Sequence, residues 1–319
     1  SCMARAYDVI GFGETMAMFV AEEMGSLADV TRFHKRICGA DSNVAIGMSR
    51  LGLKVAWVSR VGGDNLGKFV IKSLEAEGLD CGRVTVDPAY PTGMQFKARA
   101  AEGADPAIEY FRKGSAASHL SPDDMDAALF TEARHLHATG ILPAISPTAL
   151  ALSRHAIRSM RAAGGTVSFD PNLRPTLWKD EATMRETLNS LAAEANWVLP
   201  GLEEGRLLTG REAPHDIAGF YLDQGADAVA IKLGPEGAYW RTRDGEGTVP
   251  GFPVAKVVDT VGAGDGFATG FVSGILEGLS VEAAGRRGCR LGAMQVQVVG
   301  DCEGLPTRDE LKHLERTSA

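Results

Sequence analysis

Short apolar runs alternate along this chain with longer stretches whose apolar residues recur every three or four positions. The runs Tyr7 to Gly11, Val55 to Val61, Val167 to Asp170, Trp197 to Pro200 and Ala228 to Leu233 predict strands. The stretches Ser42 to Leu51, Gly67 to Glu77, Ser146 to Ala163 and Glu181 to Ala195 carry helical spacing. Such alternation predicts an α/β fold of three layers, a mostly parallel central sheet covered by helices on both faces. Ligands in such folds bind at the carboxyl ends of the strands. Two regions break the pattern, approximately residues 12–36 and 92–113, the second with Gly103-Ala104-Asp105-Pro106 as a turn. They predict hairpin insertions that form a small β lid. No linker, low-complexity tract or repeat interrupts residues 1–319, which read as one domain.

Composition narrows the possible partners. The chain has 319 residues, 45% of them hydrophobic and 23% charged, enough for a substantial soluble core. A formal net charge of −8 provides no domain-wide basic surface and argues against nucleic acid. No apolar run approaches the roughly 20 residues of a membrane span, and no signal-peptide core is evident. Cys2, Cys38, Cys81, Cys289 and Cys302 are scattered and lack CxxC spacing, which fits a reducing cytoplasm better than a disulfide framework or structural zinc.

The most informative chemistry lies in Asp259-Thr260-Val261-Gly262-Ala263-Gly264-Asp265-Gly266. Three small residues let backbone N–H groups converge on an anion, and a following helix points its positive end at the same place. A carboxylate there would repel phosphate as a ligand, so Asp265 reads as a proton acceptor beside a phosphoryl group. Gly262, Gly266, Gly270, Gly274 and Gly278 then share one helix face. Glycine costs about 1 kcal/mol against alanine in a helix, so close approach to another backbone or to a nucleotide is expected along that face. The plainer alternative is a buried glycine-rich helix with an Asp cap, which leaves the preceding Gly-Ala-Gly unexplained.

Three other patterns are weaker. Gly11-Phe12-Gly13 follows a strand as a dinucleotide fingerprint would, but Met16 stands at the third glycine position. Gly62 to Phe69 resembles a phosphate-binding loop until Phe69 replaces the hydroxyl residue, so a plain strand-to-helix turn is favoured. His135 and His137 share a strand face without an accompanying carboxylate or cysteine cluster and read as ordinary core histidines.

Gly39-Ala40-Asp41-Ser42-Asn43-Val44-Ala45 and the Asp259 to Gly266 segment together resemble the paired signatures of the ribokinase-like (PfkB) sugar kinases. The turn Val61 to Gly67 and the segment Lys232 to Gly237 appear in the family's order, so the resemblance runs nearly the whole length. Within the family, residues 39–47, 110–118 and 170–178 look most like the 2-keto-3-deoxygluconate kinases. The resemblance implies that Asp265 is the general base. Backbone amides of Gly262, Ala263, Gly264 and Asp265 would form the anion hole, and Gly39 and Asn43 would lie at the sugar. Tyr110, Arg112 and Arg174 would bind the substrate's carboxylate and hydroxyls. Lys232 with Gly234 and Gly237 would flank ATP, and Glu204 would organise Mg2+ through water. It further implies a homodimer joined through the lids.

Chemistry of the residues alone agrees at two positions. Arg112 lies in the expected lid and Arg174 in a loop after the strand ending at Asp170, so both could reach one cleft and grip a carboxylate. Either arginine taken alone is equally a surface charge or an ion-pair partner. Cys38, Gln95 and Gly201 depart from the family's glycine, tyrosine and asparagine. A kinase for fructose, ribose or a related sugar acid, and a non-catalytic sugar-binding homologue, remain the alternatives.

Overall fold

The computed structural model describes residues 5–101, 104–260, 262–298 and 300–317. Among these residues thirteen strands form two sheets. They are β1 (Tyr7–Phe12), β2 (Met16–Met24), β3 (Phe33–Cys38), β4 (Val55–Gly62), β5 (Asp80–Asp87), β6 (Met94–Arg99) and β7 (Ile108–Phe111). β8 (Ala133–Thr139), β9 (Thr166–Asp170), β10 (Trp197–Val198), β11 (Ala228–Lys232), β12 (Gly237–Thr242) and β13 (Glu246–Pro250) follow. The larger sheet runs β13-β12-β11-β10-β9-β8-β1-β4-β5 and is parallel from β11 to β5, with β12 and β13 added antiparallel.

Strand alternation divides the core between the two faces of this sheet. Val9, Val55 and Trp57 belong to one apolar cluster, whereas their neighbours Ile10, Ala56 and Val58 belong to the other. Helices cover both faces, which gives the three layers expected. The expected strands are all present, although Trp197 to Pro200 shortens to Trp197–Val198. β5 lies at the sheet's edge with a mixed polar pattern, and β12–β13 is a half-exposed hairpin, so neither produces a strong apolar run.

The chain leaves β1 towards β4 and β5, then returns to lay β8 on β1's other side. That reversal opens a crevice at the strands' carboxyl ends. The smaller sheet, β3-β2-β6-β7, comes from hairpins inserted after β1 and after β5, with β2 and β6 paired in parallel. It stands over the crevice. Gly103, assigned to the turn of the second hairpin, lies outside the described residues, as do Cys2 and Val261.

The glycine face of helix Ala263–Leu276 is explained by helix Val281–Gln295. A Cβ on Gly266 would lie 2.8 Å from the Leu291 carbonyl oxygen, and one on Gly270 would lie 2.6 Å from the Arg287 backbone. The neighbour is therefore another backbone along most of the face. Gly270→Ala gains about 1 kcal/mol of helix propensity but forces these helices apart. We expect a net loss of about 1–3 kcal/mol, read as a lower urea midpoint; an unchanged or raised midpoint would contradict it.

The weaker motifs settle into structural roles. Gly11 gives way to Trp57, whose ring would lie 3.1 Å from a Cβ there. Asp64 caps helix Asn65–Ala76 by accepting the Gly67 N–H at 2.8 Å, which makes Gly62 to Phe69 a strand-to-helix turn. His135 and His137 are buried and share the Ser168 hydroxyl at 2.8 and 2.7 Å. Burial holds both imidazoles neutral, with His137 pushed down to about 3. No described helix is long and apolar enough to cross a membrane.

Candidate active site

Gly262 opens the site. Its φ of 89° is left-handed, and a Cβ there would meet the Asp301 carbonyl oxygen at 2.5 Å, so only glycine fits this turn. Helix Ala263–Leu276 begins immediately, and its first internal bond runs from the Gly266 N–H to the Gly262 carbonyl at 2.9 Å. The amides of Ala263, Gly264 and Asp265 consequently have no acceptor within the helix. The Lys232 ammonium stands beside them, 3.5 Å from where a Gly264 Cβ would be. Backbone donors, helix dipole and ammonium thus converge on one point suited to phosphate.

Two cavities meet there. One, of about 320 Å³, lies beneath the small sheet and is polar, lined by Gly39, Asn43, Tyr110, Arg112, Arg174 and Asp265 among others. The second, of about 430 Å³, is mostly apolar, with Phe252, Val257, Phe267 and Val296 beside Lys232, Gly234 and Gly237. Thr260 and Gly264 line both. The residues singled out for sugar and those singled out for nucleotide therefore fall into different cavities that join at the anion turn.

Asp265 stands on the polar side of that junction. Its Oδ2 accepts a hydrogen bond from Asn43 Nδ2 at 2.9 Å. Burial raises its carboxyl to about 7; the Asn43 bond opposes this, and Asp170 and Asp301 add repulsion. A carboxylate poised near neutrality suits proton abstraction. Asn43 also donates to Asp301 Oδ2 at 3.1 Å, and the Gly39 N–H reaches the same oxygen at 3.3 Å. Gly39, at φ 145°, is thereby tied to the cavity wall.

Sequence patterns do not single out every cavity residue. Asp41 Oδ1, Asp301 Oδ1 and Asn172 Nδ2 are buried in the cavity wall without a partner among the described residues. Unpaired polar atoms of this kind are costly unless a polar ligand reaches them. Asn172 holds φ 42°, uncommon outside glycine. Asp41 sits inside the Gly39 to Ala45 motif, and Asn172 within Asp170 to Trp178, whereas nothing local marks Asp301 or Glu14.

Burial raises the Asp41 carboxyl to about 8, with Asp265 and Asp170 adding repulsion. Its folded value exceeds the ordinary 3.8, so the folded chain gains a proton that the unfolded chain lacks between those limits. The associated stability is complete below about pH 4 and lost as pH rises through about 8. Asp41→Asn should therefore raise the melting temperature of the unliganded protein at pH 8 more than at pH 5. An equal shift at both would refute the assignment.

Arg112 and Arg174 differ in their partners. Arg112 Nε donates to buried Glu14 at 2.9 Å, and Ser115 Oγ donates to the same carboxylate at 2.6 Å. Part of the Arg112 charge is already answered. Arg174 is exposed, and its Nη1 donates to the adjacent Leu173 carbonyl at 3.0 Å, which leaves most of its fork for a ligand. Tyr110 is 47% exposed at the cavity mouth. Gln95 pairs opposite it and turns its amide towards Met18 Sδ at 3.2 Å.

Lys232 and Glu204 order the loops behind the phosphate point. Lys232 Nζ donates to Asp170 Oδ2 at 2.9 Å; burial alone would lower its ammonium, but Asp170, Glu204 and Asp265 hold it charged. Glu204 accepts the Gly201 N–H at 2.9 Å and the Leu173 N–H at 2.8 Å, so both carboxylate oxygens anchor backbone. The second bond fixes the loop that carries Arg174. Direct coordination of a metal by Glu204 would compete with these bonds.

The model of the pfkB family carbohydrate kinases matches residues 7–308. The chain is 52% identical over 305 residues to the 2-dehydro-3-deoxygluconokinase of Bacillus subtilis (strain 168), covering 95% of this chain and 94% of that relative. A PfkB protein structure from Polaromonas sp. JS666 superposes with a TM-score of 0.90 at 52% identity, covering 96% of this chain and 99% of that one. An E. coli structure described as a putative ribokinase II in complex with ATP and Mg2+ superposes at 0.88 and 26% identity, covering 98% and 99%. The chain belongs to the pfkB family of carbohydrate kinases, enzymes that transfer a phosphoryl group to a sugar hydroxyl.

Proposed function

We propose that this kinase transfers the γ-phosphoryl group of ATP to the terminal hydroxyl of 2-keto-3-deoxygluconate, giving 2-keto-3-deoxy-6-phosphogluconate and ADP. The observation that carries the reading is the junction of a polar and an apolar cavity at Thr260 and Gly264, with Asp265 beside it. ATP occupies the apolar cavity, its base near Phe267 and its phosphates at the anion turn and Lys232. The sugar acid occupies the polar cavity, and its terminal oxygen approaches Asp265.

Asp265 takes the hydroxyl proton as that oxygen bonds to phosphorus and the bond to the ADP oxygen breaks. Amides of Gly262, Ala263, Gly264 and Asp265 stabilise charge on the transferred group. Arg174, with the donors that Arg112 keeps free, holds the carboxylate. Asp41, Asn172 and Asp301 answer the sugar's hydroxyl and keto groups. The small sheet excludes water that would otherwise consume ATP.

Mg2+ fits this site as an ion carried by the nucleotide. Among the described residues no cluster of three metal-ligating side chains occurs, and Mg2+ commonly relies on substrate phosphates and water with few carboxylates. Glu204 would organise its water shell indirectly, since both of its oxygens already anchor backbone. Bound there, it would neutralise phosphate charge.

The small sheet also supports a homodimer. Phe19, Phe33, Phe96 and Phe111 form one aromatic cluster on the face opposite Met16, Met18 and Val20, with Phe19 and Phe96 stacked at 5.1 Å. A second copy would cover this cluster and its neighbouring strand edges. Light scattering should give twice the chain mass; a monomer at assay concentration would sink this arrangement. We place the enzyme in the cytoplasm, a reading supported by free Cys38, Cys81, Cys289 and Cys302.

A coupled ADP-release assay tests the substrate. The panel holds 2-keto-3-deoxygluconate, 2-ketogluconate, gluconate, fructose, ribose and adenosine with Mg-ATP. Strong preference for the first supports the sugar-acid reading. Preference for a neutral sugar keeps the kinase and discards the substrate, and no turnover with any favours a binding protein.

A further inference from the structure

Lys97 is a buried cation that neither sugar nor nucleotide cavity uses. It lies on β6 in register with Val20 and on the same face as Gln95, so its stem runs among the apolar residues beneath the small sheet. Its Nζ donates to Asp259 Oδ2 at 2.6 Å, and the two side chains are only 3% and 5% exposed. Asp259 opens the segment that leads into the anion turn, and its Oδ2 also receives the Gly300 N–H at 3.4 Å, next to Asp301. A second bond runs parallel to the first. Thr260 Oγ1 donates to Asp105 Oδ1 at 2.5 Å, and Asp105 lies between β6 and β7. Asp259 and Thr260, just ahead of the turn, are therefore both held by the inserted sheet.

We propose that Lys97 is a positioning residue for phosphoryl transfer: through Asp259 it sets the approach to the Gly262–Asp265 turn, so that seating the small sheet and forming the anion hole are one event. Burying an ammonium–carboxylate pair costs desolvation that an apolar pair of similar volume avoids. Here the pair crosses from one sheet to the catalytic loop, where a small displacement is magnified in rate. The inference rests on the assignment of that turn as the phosphoryl site.

Three variants of the enzyme test it: Lys97→Met, the double variant Lys97→Met/Asp259→Asn, and Asp265→Asn, each assayed with Mg-ATP and the preferred sugar. Lys97→Met should lower kcat by about 10- to 100-fold with little change in sugar KM, as loss of alignment does. The double variant has no lone buried charge and decides the matter if Lys97→Met fails to fold. It should remain slow, because the tie itself is missing. Wild-type kcat in the double variant, or an effect confined to sugar KM, overturns the proposal. Asp265→Asn separates the two failures. If it is inactive while the Lys97 variants are normal, the phosphoryl site stands and the tie falls; if it is fully active, the site assignment falls first.

Discussion

Asp265→Asn should lower kcat by about 10²- to 10⁴-fold while sugar binding by calorimetry is largely retained. The substitution is nearly isosteric, and its amide oxygen can still accept from Asn43, which presently donates to Asp265 Oδ2 at 2.9 Å. The Asn43 to Asp301 bond at 3.1 Å is untouched, so the cavity wall keeps its shape. What disappears is the place for the substrate's proton. As the proposed base, Asp265 must be ionised to act, and burial raises its carboxyl to about 7. The rate should accordingly fall as pH drops through about 7 and level off above it. The residual rate of the variant should lack that limb. A variant with wild-type kcat would remove Asp265 from the proton path altogether.

Arg174→Ala should cut kcat/KM for the sugar acid by about 10- to 100-fold, the worth of about 1.5–3 kcal/mol in a charge-assisted contact. The arginine is exposed and its guanidinium donates to the adjacent Leu173 carbonyl, so its removal strands no buried charge. The same variant should change kcat/KM for a neutral sugar little. Equal losses for acid and neutral substrates would show that Arg174 shapes the cavity and does not read the carboxylate. Arg112→Ala would be a poorer test, because it also strips buried Glu14 of its cationic partner at 2.9 Å.

Strand–helix alternation in the sequence carries the layered fold, because a buried parallel strand must be apolar on both faces and a covering helix on only one. The anion turn is legible there for a similar reason. In the proposed role Gly262 to Asp265 would act through their own backbone and the start of their own helix, so that chemistry is local in sequence. The glycine spacing likewise announces a close neighbour, although only the packing of helix Val281–Gln295 shows that this neighbour is backbone rather than nucleotide.

Other features arise only when distant segments meet. Strands such as β5, β12 and β13 lie at or near the sheet's edge, where half-exposed positions dilute the apolar signal. Glu14 looks like any acidic residue until Arg112 and Ser115 close on it, and Asp301 until Asn43 and Gly39 do. Glu204 reads in sequence as a carboxylate that organises Mg2+ through water, and in the fold it spends its oxygens on the backbone of Gly201 and Leu173. The tie between Lys97 and Asp259 joins residues far apart in the chain and common in kind. Sequence periodicity records which side of an element is buried, and a local motif records what a turn can bind. The identity of a long-range partner is in neither, because it depends on how the elements pack, and at this site packing decided which charges are answered within the protein and which are left for a ligand.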